Sequence, residues 1–135
     1  MIGFLSPSSP DAFADRVREF RHGLEQSGFV EGRNLTVSMH IGSLSNLPAL
    51  GREALGTRPD VVIAATNAGV RAILDVSKTV PIVMAFAGED PVATGLAQSL
   101  ARPGGSVTGL TNMTTQLDGK RMALLHEAVP AAKRI

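Results

Sequence analysis

The chain has 135 residues, 44% of them hydrophobic, and a formal net charge of +1. This length fits one domain with a single core, and the apolar content excludes a disordered chain. Acidic and basic residues are interspersed, so there is no basic stripe for nucleic acid and no polybasic membrane anchor. Cysteine is absent, which excludes disulfides, thiol nucleophiles and thiolate metal sites.

Strand and helix patterns alternate in the first half of the chain. Residues 2–5 form a short apolar run that predicts a strand at the amino terminus. Residues 35–41 alternate as a strand, and residues 46–55 predict a weaker helix. Between the two strands, a helix that ends near Gly28 is predicted by apolar residues at helical spacing: Phe13, Val17, Phe20 and Leu24.

The segment RPDVVIAATNAGVRAILDVSKTVPIVMAFAGEDP gives the clearest pattern. Residues 61–65 and 81–86 are apolar on every side and predict strands, and residues 67–76 between them predict a helix. Continuous apolar runs separated by helices are typical of a parallel sheet covered on both faces. We therefore expect parallel strands with helices packed on each side.

The last third of the chain continues the alternation. A short helical run is predicted after Pro91, followed by a fifth strand at residues 106–110. A final helix is predicted at residues 115–128, where Thr115 and Asp118 have the spacing of a capping box. Five strands and about five helices in this order predict an α/β fold: a doubly wound, parallel, five-stranded sheet with right-handed crossovers.

Four polar or small loops follow the predicted strands, at residues 6–10, 66–68, 87–91 and 111–113. In open α/β sheets, ligands bind beyond the carboxyl ends of the strands, where helix N-termini attract anions. The hydroxyls of Ser6 and Thr66, the amide of Asn67 and the carboxylate of Asp90 could therefore hold a small polar ligand. Taken singly, each is more typical of a cap or turn, as is Glu89, so the prediction depends on the four loops together.

Catalytic and metal-binding motifs are missing from the sequence. The GGSVTG stretch lacks the G-x-G-x-x-G spacing and precedes a strand, and neither a P-loop nor a G-x-S-x-G nucleophile elbow occurs. His22, His40 and His126 lie far apart in the sequence, without ligand spacing. We therefore predict no catalytic residue, no metal site and no cofactor.

Stretches spread in order along the whole chain carry a family resemblance, among them IGFLSPSSPDAF, PDVVIAATNAGVRAI, DPVATGLAQSLARPGGSVTGLTN and LDGKRMALLHEAVPAAKRI. With these stretches the chain resembles the ABC-transporter substrate-binding proteins of the type that includes tryptophan-binding lipoproteins. The resemblance implies a type I periplasmic-binding fold, in which two α/β lobes close on a ligand at a hinge, and it implies no catalysis.

The resemblance also implies a site and partners. It places Ser6, Thr66, Asn67, Asp90 and Asn112 in cleft-facing loops that bind a small polar or amino-acid-like ligand. The implied partner is the membrane permease of an ABC import system, and no nucleic acid is expected. The implied location is periplasmic or lipoprotein-anchored. The amino terminus MIGFLSPSSP shows no export signal, however, which leaves a cytoplasmic location open.

Relatives in this family continue past the position of Ile135 into a second lobe. Residues 1–113 are therefore expected to be an amino-terminal lobe, and residues 114–135 a crossover helix toward a second lobe that this chain does not contain. An uncovered crossover helix would expose Met122, Leu124, Leu125 and Val129. We expect a homodimer through the first three, with folding of the helix back onto its own sheet as the alternative.

Two other function classes stay open. A Rossmann-like nucleotide-binding or enzyme domain would share the fold, although the phosphate loop and an acid/base set are missing. A cytosolic ligand-sensing regulatory domain would also share it, and the lack of an attached DNA-binding helix pair disfavours that class. Nucleotide soaks and turnover screens separate these classes from a solute-binding lobe.

Overall fold

The described part of the chain is residues 1–130 of the computed structural model, and a parallel sheet runs through its centre. Its strands are β1 (Ile2–Pro7), β2 (Val37–Gly42), β3 (Val61–Ala64), β4 (Ile82–Ala87) and β5 (Val107–Thr111). The α-helices are α1 (Pro10–Gln26), α2 (Leu47–Gly56), α3 (Asn67–Leu74) and α4 (Thr114–Ala128). A 3-10 turn at Leu44–Asn46 leads into α2.

The strand order is β2-β1-β3-β4-β5, and every neighbouring pair is parallel. On one face, Phe13 of α1 packs against Phe4 of β1, with ring centroids 5.7 Å apart. On the other face, α2 and α3 pack on the sheet and build the larger core cluster around Leu50, Ile73 and Val62. Helices on both faces of a parallel sheet confirm the predicted doubly wound α/β fold.

The two faces are covered unequally, which corrects the expectation of full cover on both sides. Of the described helices, only α1 lies on this face of the sheet, and its Phe13 and Arg16 contact Phe86 of β4 without covering it fully. Phe86 is therefore 48% exposed and Leu110 is 76% exposed. Together with Phe4, Phe20 and neighbouring apolar side chains, they line a cavity of about 520 Å³ that we call the open groove.

Local signals explain where α1 begins and ends. Ser9 is its N-cap, and the Ser9 hydroxyl accepts a hydrogen bond from the Ala12 N–H at 3.3 Å. Gly28 has a positive φ of 85°, a conformation that glycine adopts without strain, so the predicted stop signal is confirmed.

The predicted helical run after Pro91 is wrong, since turns occupy this part of the chain. The Leu96 and Ala97 N–H groups both donate to the Pro91 carbonyl, which closes the turn on itself. Gly95 then adopts a left-handed φ of 72°, and this conformation ends helical propagation after a single turn. The four α-helices and one 3-10 turn replace the five helices expected.

The capping box predicted for the last helix is also wrong. Its N-cap is Met113, which has a φ of 46° and makes no side-chain cap bond. Asp118 pairs instead with Arg121 at 3.3 Å, and the Thr115 N–H donates to the Gly88 carbonyl. Backbone contact with the preceding loop therefore sets the start of α4, without a side-chain cap.

Helix α4 projects from the sheet with its whole length in solvent. Every residue from 115 to 130 is exposed, so within the described residues α4 does not fold back onto the sheet. The predicted crossover segment, residues 114–135, is helical to Ala128, and residues 131–135 lie outside the described residues. No helix in the described part of the chain has the length and apolar character needed to cross a membrane.

Candidate functional site

The sheet reverses its winding at β1 and β3, which are neighbours in space although α1, β2 and α2 separate them in sequence. The chain leaves β1 toward α1 on one face and leaves β3 toward α3 on the other. A crevice opens where the two connections diverge, and parallel sheets bind ligands at such a point. An open cavity of about 460 Å³, which we call the edge cavity, lies here. Its lining includes Pro7, Thr66, Asn67, Arg71, Phe86 and Glu89.

Ser6 lies at the end of β1, one residue before the lining of the edge cavity. It is only 1% exposed and pairs in register with Ile41 of β2. The structure therefore places Ser6 at the base of the predicted site, with Pro7 as the residue of β1 that lines the cavity.

Thr66 and Asn67 lie where the sequence predicts them, at the start of α3. Thr66 is the N-cap of this helix, and its hydroxyl accepts a hydrogen bond from the Gly69 N–H at 3.1 Å. The remaining N–H groups of the first turn carry the partial positive charge of a helix N-terminus. Thr66 therefore holds the helix start in place beside the cavity.

Asn67 is the least satisfied polar side chain at this edge. It is 7% exposed, and its Nδ2 has no hydrogen-bond partner among the described residues. A buried donor without a partner costs about 1–3 kcal/mol, so such groups in native proteins call for an explanation. Asn67 lines the edge cavity, although Nδ2 itself is turned away from solvent, so rotation of the side-chain amide would bring this donor to a ligand oxygen.

Asp90 follows β4, and its carboxylate forms bonds within the protein. Its Oδ1 accepts from the Val92 N–H at 2.8 Å, and its Oδ2 accepts from Gln116 Nε2 at 3.1 Å. The Val92 N–H, more than Gln116, holds the pKa of Asp90 below its usual range. Asp90 is not part of the cavity lining, and its predicted ligand role stays a prediction.

Asn112 lies at the same sheet edge, beyond β5. It is exposed, its N–H donates to the Ala87 carbonyl at 3.0 Å, and its Oδ1 accepts from the Thr114 hydroxyl at 3.4 Å. Asn112 does not line the edge cavity, and its ligand role likewise stays a prediction. The structure thus brings Thr66 and Asn67 together at the cavity and places Asn112 toward the start of α4.

Arg71, Phe86 and Glu89 are among the lining residues that the sequence analysis did not name as ligand contacts. Arg71 comes four residues after Asn67, and this helical spacing could have indicated it once Asn67 was chosen. Glu89 differs from Asp90 by one position, and only the path of the turn decides which carboxylate faces the cavity. The cavity thereby combines a cation, a carboxylate, helix N–H donors and an aromatic ring.

The polar side chains that line the edge cavity are not arranged as the ligands of a metal ion. Within residues 1–130, no group of three or more His, Asp or Glu side chains lies close enough together to hold a metal ion. The arrangement suits a small organic ligand with charges of both signs and an apolar part, because each has a matching group in the lining.

The family described as ABC transporter substrate binding protein matches the chain over residues 1–135. A curated relative named tyrosine-binding protein, from Clostridioides difficile (strain R20291), is 29% identical over 119 residues. This match covers 86% of the present chain and 33% of the relative.

Solved structures share the fold. A conserved domain protein from Vibrio cholerae is 27% identical with a TM-score of 0.79, and the match covers 98% of this chain and 44% of that one. A ligand-free, open substrate-binding protein with adhesive properties from Clostridium difficile has a TM-score of 0.71 at 23% identity, covering 86% and 41% of the two chains. An ABC domain from Streptococcus pneumonia, in complex with L-Trp, has a TM-score of 0.64 at 22% identity, covering 82% and 36%.

The chain spans a third of the length of the curated relative and less than half the length of each of these structures. The two structures below 25% identity bear on the fold alone. The matched part of each is an α/β unit like the one described here.

Proposed function

The chain belongs to the ABC transporter substrate-binding protein family, and on this premise we propose that its edge cavity binds a small amino-acid-like ligand. In this proposal the chain supplies one wall of the ligand site of a solute-binding component that works with a membrane permease. The proposed location is outside the cytoplasmic membrane, in the periplasm or on a lipid anchor. No catalytic step is part of the proposal.

The single observation that carries the proposal is the buried, unpartnered Nδ2 of Asn67 at the N-terminus of α3. A ligand carboxylate would accept from this donor after the side-chain amide rotates toward the cavity, and from the first N–H groups of the helix. Glu89 lines the same cavity and would accept from a ligand ammonium group. Phe86 would pack against the apolar side chain, so each part of an amino acid has a matching surface.

The tyrosine-binding name of the 29% identical relative supports an amino acid as the ligand class. The loop between β1 and α1 does not favour a nucleotide as the ligand, because a phosphate chain would need a glycine-rich loop there. The chain there reads Pro7-Ser8-Ser9-Pro10.

The edge cavity is open to solvent, and small ligands are held tightly when most of their surface is buried. We propose that a second α/β lobe, in the same polypeptide or in another, closes over the cavity from the side of α4. Residues 1–113 would then act as one lobe, and the helix from residue 114 as the connection. The 135-residue chain by itself should bind amino acids with dissociation constants on the order of millimolar.

A ligand-observed NMR panel tests the proposal. The 135-residue chain is mixed in turn with the twenty amino acids, ATP and NAD, and saturation transfer from protein to ligand is recorded. We expect transfer to amino acids with apolar side chains and none to the nucleotides. Submillimolar binding of any amino acid to the monomer would contradict the proposal that a second lobe is needed to complete the ligand site. Saturation transfer to the nucleotides alone would contradict the proposed ligand class.

Asn67→Ala is the informative variant in this panel. Since the Nδ2 group has no protein partner, its removal should leave the stability of the fold nearly unchanged while amino-acid binding weakens. Asn46→Ala is the matched control, because Asn46 is exposed, makes no side-chain cap bond and lies outside the cavity lining.

A further inference from the structure

We propose that Arg71 is a specificity-determining residue that binds the carboxylate of the ligand and thereby selects carboxylate-bearing compounds. The inference rests on the proposed function and deepens it. Arg71 lies on α3 one helical turn after Asn67, and both residues line the edge cavity. Side chains four residues apart share one face of a helix, so the guanidinium and the Asn67 amide can meet a single anion.

The guanidinium of Arg71 is held in place by the backbone of a neighbouring loop. Its Nη2 donates to the Thr94 carbonyl at 2.6 Å. Thr94 is itself fixed, because its N–H and its hydroxyl both donate to the Asp90 carbonyl. A guanidinium group has five N–H donors, and the bond to Thr94 orients the group while engaging one of its nitrogens.

Within residues 1–130, no carboxylate lies within salt-bridge distance of Arg71. Arg18, Arg21 and Arg121 all take part in ion pairs, whereas the salt bridges of the described residues do not include Arg71. The positive end of α3 lies at the same cavity, and the buried Nδ2 of Asn67 beside it has no partner among the described residues. The guanidinium, the helix N-terminus and the Asn67 amide therefore give the α3 side of the cavity a positive potential, while Glu89 is the carboxylate of the lining.

The competing explanation is that Arg71 only tethers the loop at Thr94 to α3. A tether would affect every ligand of the cavity alike, whatever its charge. A carboxylate-binding residue would affect only ligands that carry a carboxylate, and its effect would weaken as salt screens the exposed charge. These two roles can be separated by comparing ligands that differ in one charged group.

The experiment titrates the ¹⁵N-labelled 135-residue chain with three probes that share a phenyl ring. L-phenylalanine carries both charges, 3-phenylpropionate carries only the carboxylate, and 2-phenylethylamine carries only the ammonium. We compare the affinity for each probe at low and high salt in four proteins: wild type, Arg71→Gln, Arg71→Lys and the control Arg52→Gln. Arg52 is exposed on α2 and lies outside the cavity lining.

Arg71→Gln should weaken the two carboxylate-bearing probes about fivefold at low salt, as expected for one exposed charge pair, and leave 2-phenylethylamine unchanged. Arg71→Lys should recover part of the loss, and Arg52→Gln should have no effect. Equal losses for all three probes would assign Arg71 to the tether alone, and no loss for any probe would also overturn the inference. If no probe shifts the cavity amides of the wild type, the proposed function itself fails, which is a distinct result.

Discussion

Helices α3 and α4 both begin at the carboxyl edge of the sheet, yet they relate to the rest of the molecule in opposite ways. Helix α3 has a side-chain N-cap at Thr66 and buries five of its residues. Helix α4 starts after a left-handed Met113 without a side-chain cap, and none of its residues is buried. Both helices start at the carboxyl edge of the sheet, but α3 is part of the core and α4 extends into solvent.

The difference shows what makes a helix part of this fold. Val70 and Ile73 of α3 meet apolar residues of β3, β4 and α2, and this packing holds the N-terminus of α3 at the edge cavity. Among the described residues, no comparable surface covers Leu117, Leu124 and Leu125 of α4. We infer that the edge cavity is preformed by α3, whereas α4 is available to carry or contact another unit.

The largest expected contrast is in stability. Ile73→Ala should lower the free energy of unfolding by about 2–5 kcal/mol, because it leaves a cavity in a fully buried cluster. Leu117→Ala, at a position of α4 outside the predicted dimer contact, removes a side chain that is 44% exposed and should change this free energy by about 0.5 kcal/mol or less. Urea denaturation followed by circular dichroism measures both. A loss of more than 2 kcal/mol in the α4 variant would show that this helix is packed after all.

The next contrast concerns the apolar side chains of α4, which are exposed, whereas α3 packs its apolar side chains into the core. We predict that the 135-residue chain forms a homodimer through Met122, Leu124 and Leu125, since burial of each such side chain is worth roughly 1.5–3 kcal/mol. Light scattering should show a dimer that the double change Leu124→Glu, Leu125→Glu converts to a monomer.

Ala123→Glu is the control for the dimer, because position 123 lies on the opposite side of α4. A wild-type chain that scatters as a monomer at all concentrations would contradict the dimer. Loss of the dimer in the control as well would locate the contact elsewhere.

A smaller contrast is expected at the two helix starts. Thr66→Ala removes the hydroxyl that accepts from the Gly69 N–H and should cost about 1 kcal/mol of stability. Thr115→Ala, at the start of α4, should cost close to nothing because no side chain caps that helix. Thermal unfolding of both variants provides the comparison, and equal losses would refute the assigned difference in capping.

The neighbouring carboxylates Glu89 and Asp90 provide a contrast in ligand binding. Glu89→Gln should weaken binding of 2-phenylethylamine about threefold to fivefold, because Glu89 lines the edge cavity as an exposed charge. Asp90→Asn should weaken it too if Asp90 contributes to the site, as the sequence predicts. Calorimetry that finds Asp90→Asn unchanged would assign its carboxylate to the turn alone.

The smallest expected effect concerns pH. The pKa of Asp90 is lowered, chiefly by the Val92 N–H, so its stabilising contribution is present above about pH 4 and is lost as pH falls through the lowered value. The Val92 amide shift should therefore titrate with a midpoint below that of an ordinary aspartate. In Asp90→Asn this transition should disappear, and its persistence would contradict the assigned contact.

Particular residues show which features of the structure can be predicted from the sequence. The apolar runs before Ser6 and before Thr66 predicted the parallel strands β1 and β3, and the reversal of the sheet between these two strands follows from the strand order. The left-handed Met113 was not predictable, because the backbone on either side of it bonds to the distant Ala87 and Gly88 carbonyls. The turn after Pro91 was missed for a local reason, because the apolar spacing does not show that Gly95 adopts a positive φ. Glu89 was missed because a sequence pattern does not tell which of two adjacent carboxylates faces a cavity, whereas the helical spacing from Asn67 could have indicated Arg71.

The most direct test of the edge cavity as the ligand site is a chemical-shift map of the ¹⁵N-labelled 135-residue chain with L-phenylalanine. The account predicts saturating shifts of the Asn67, Ala68, Gly88 and Glu89 amides, all from the edge cavity, with the amide of Leu110 in the open groove unaffected. Saturating shifts confined to the open groove, or no saturating shift at the start of α3, would contradict it.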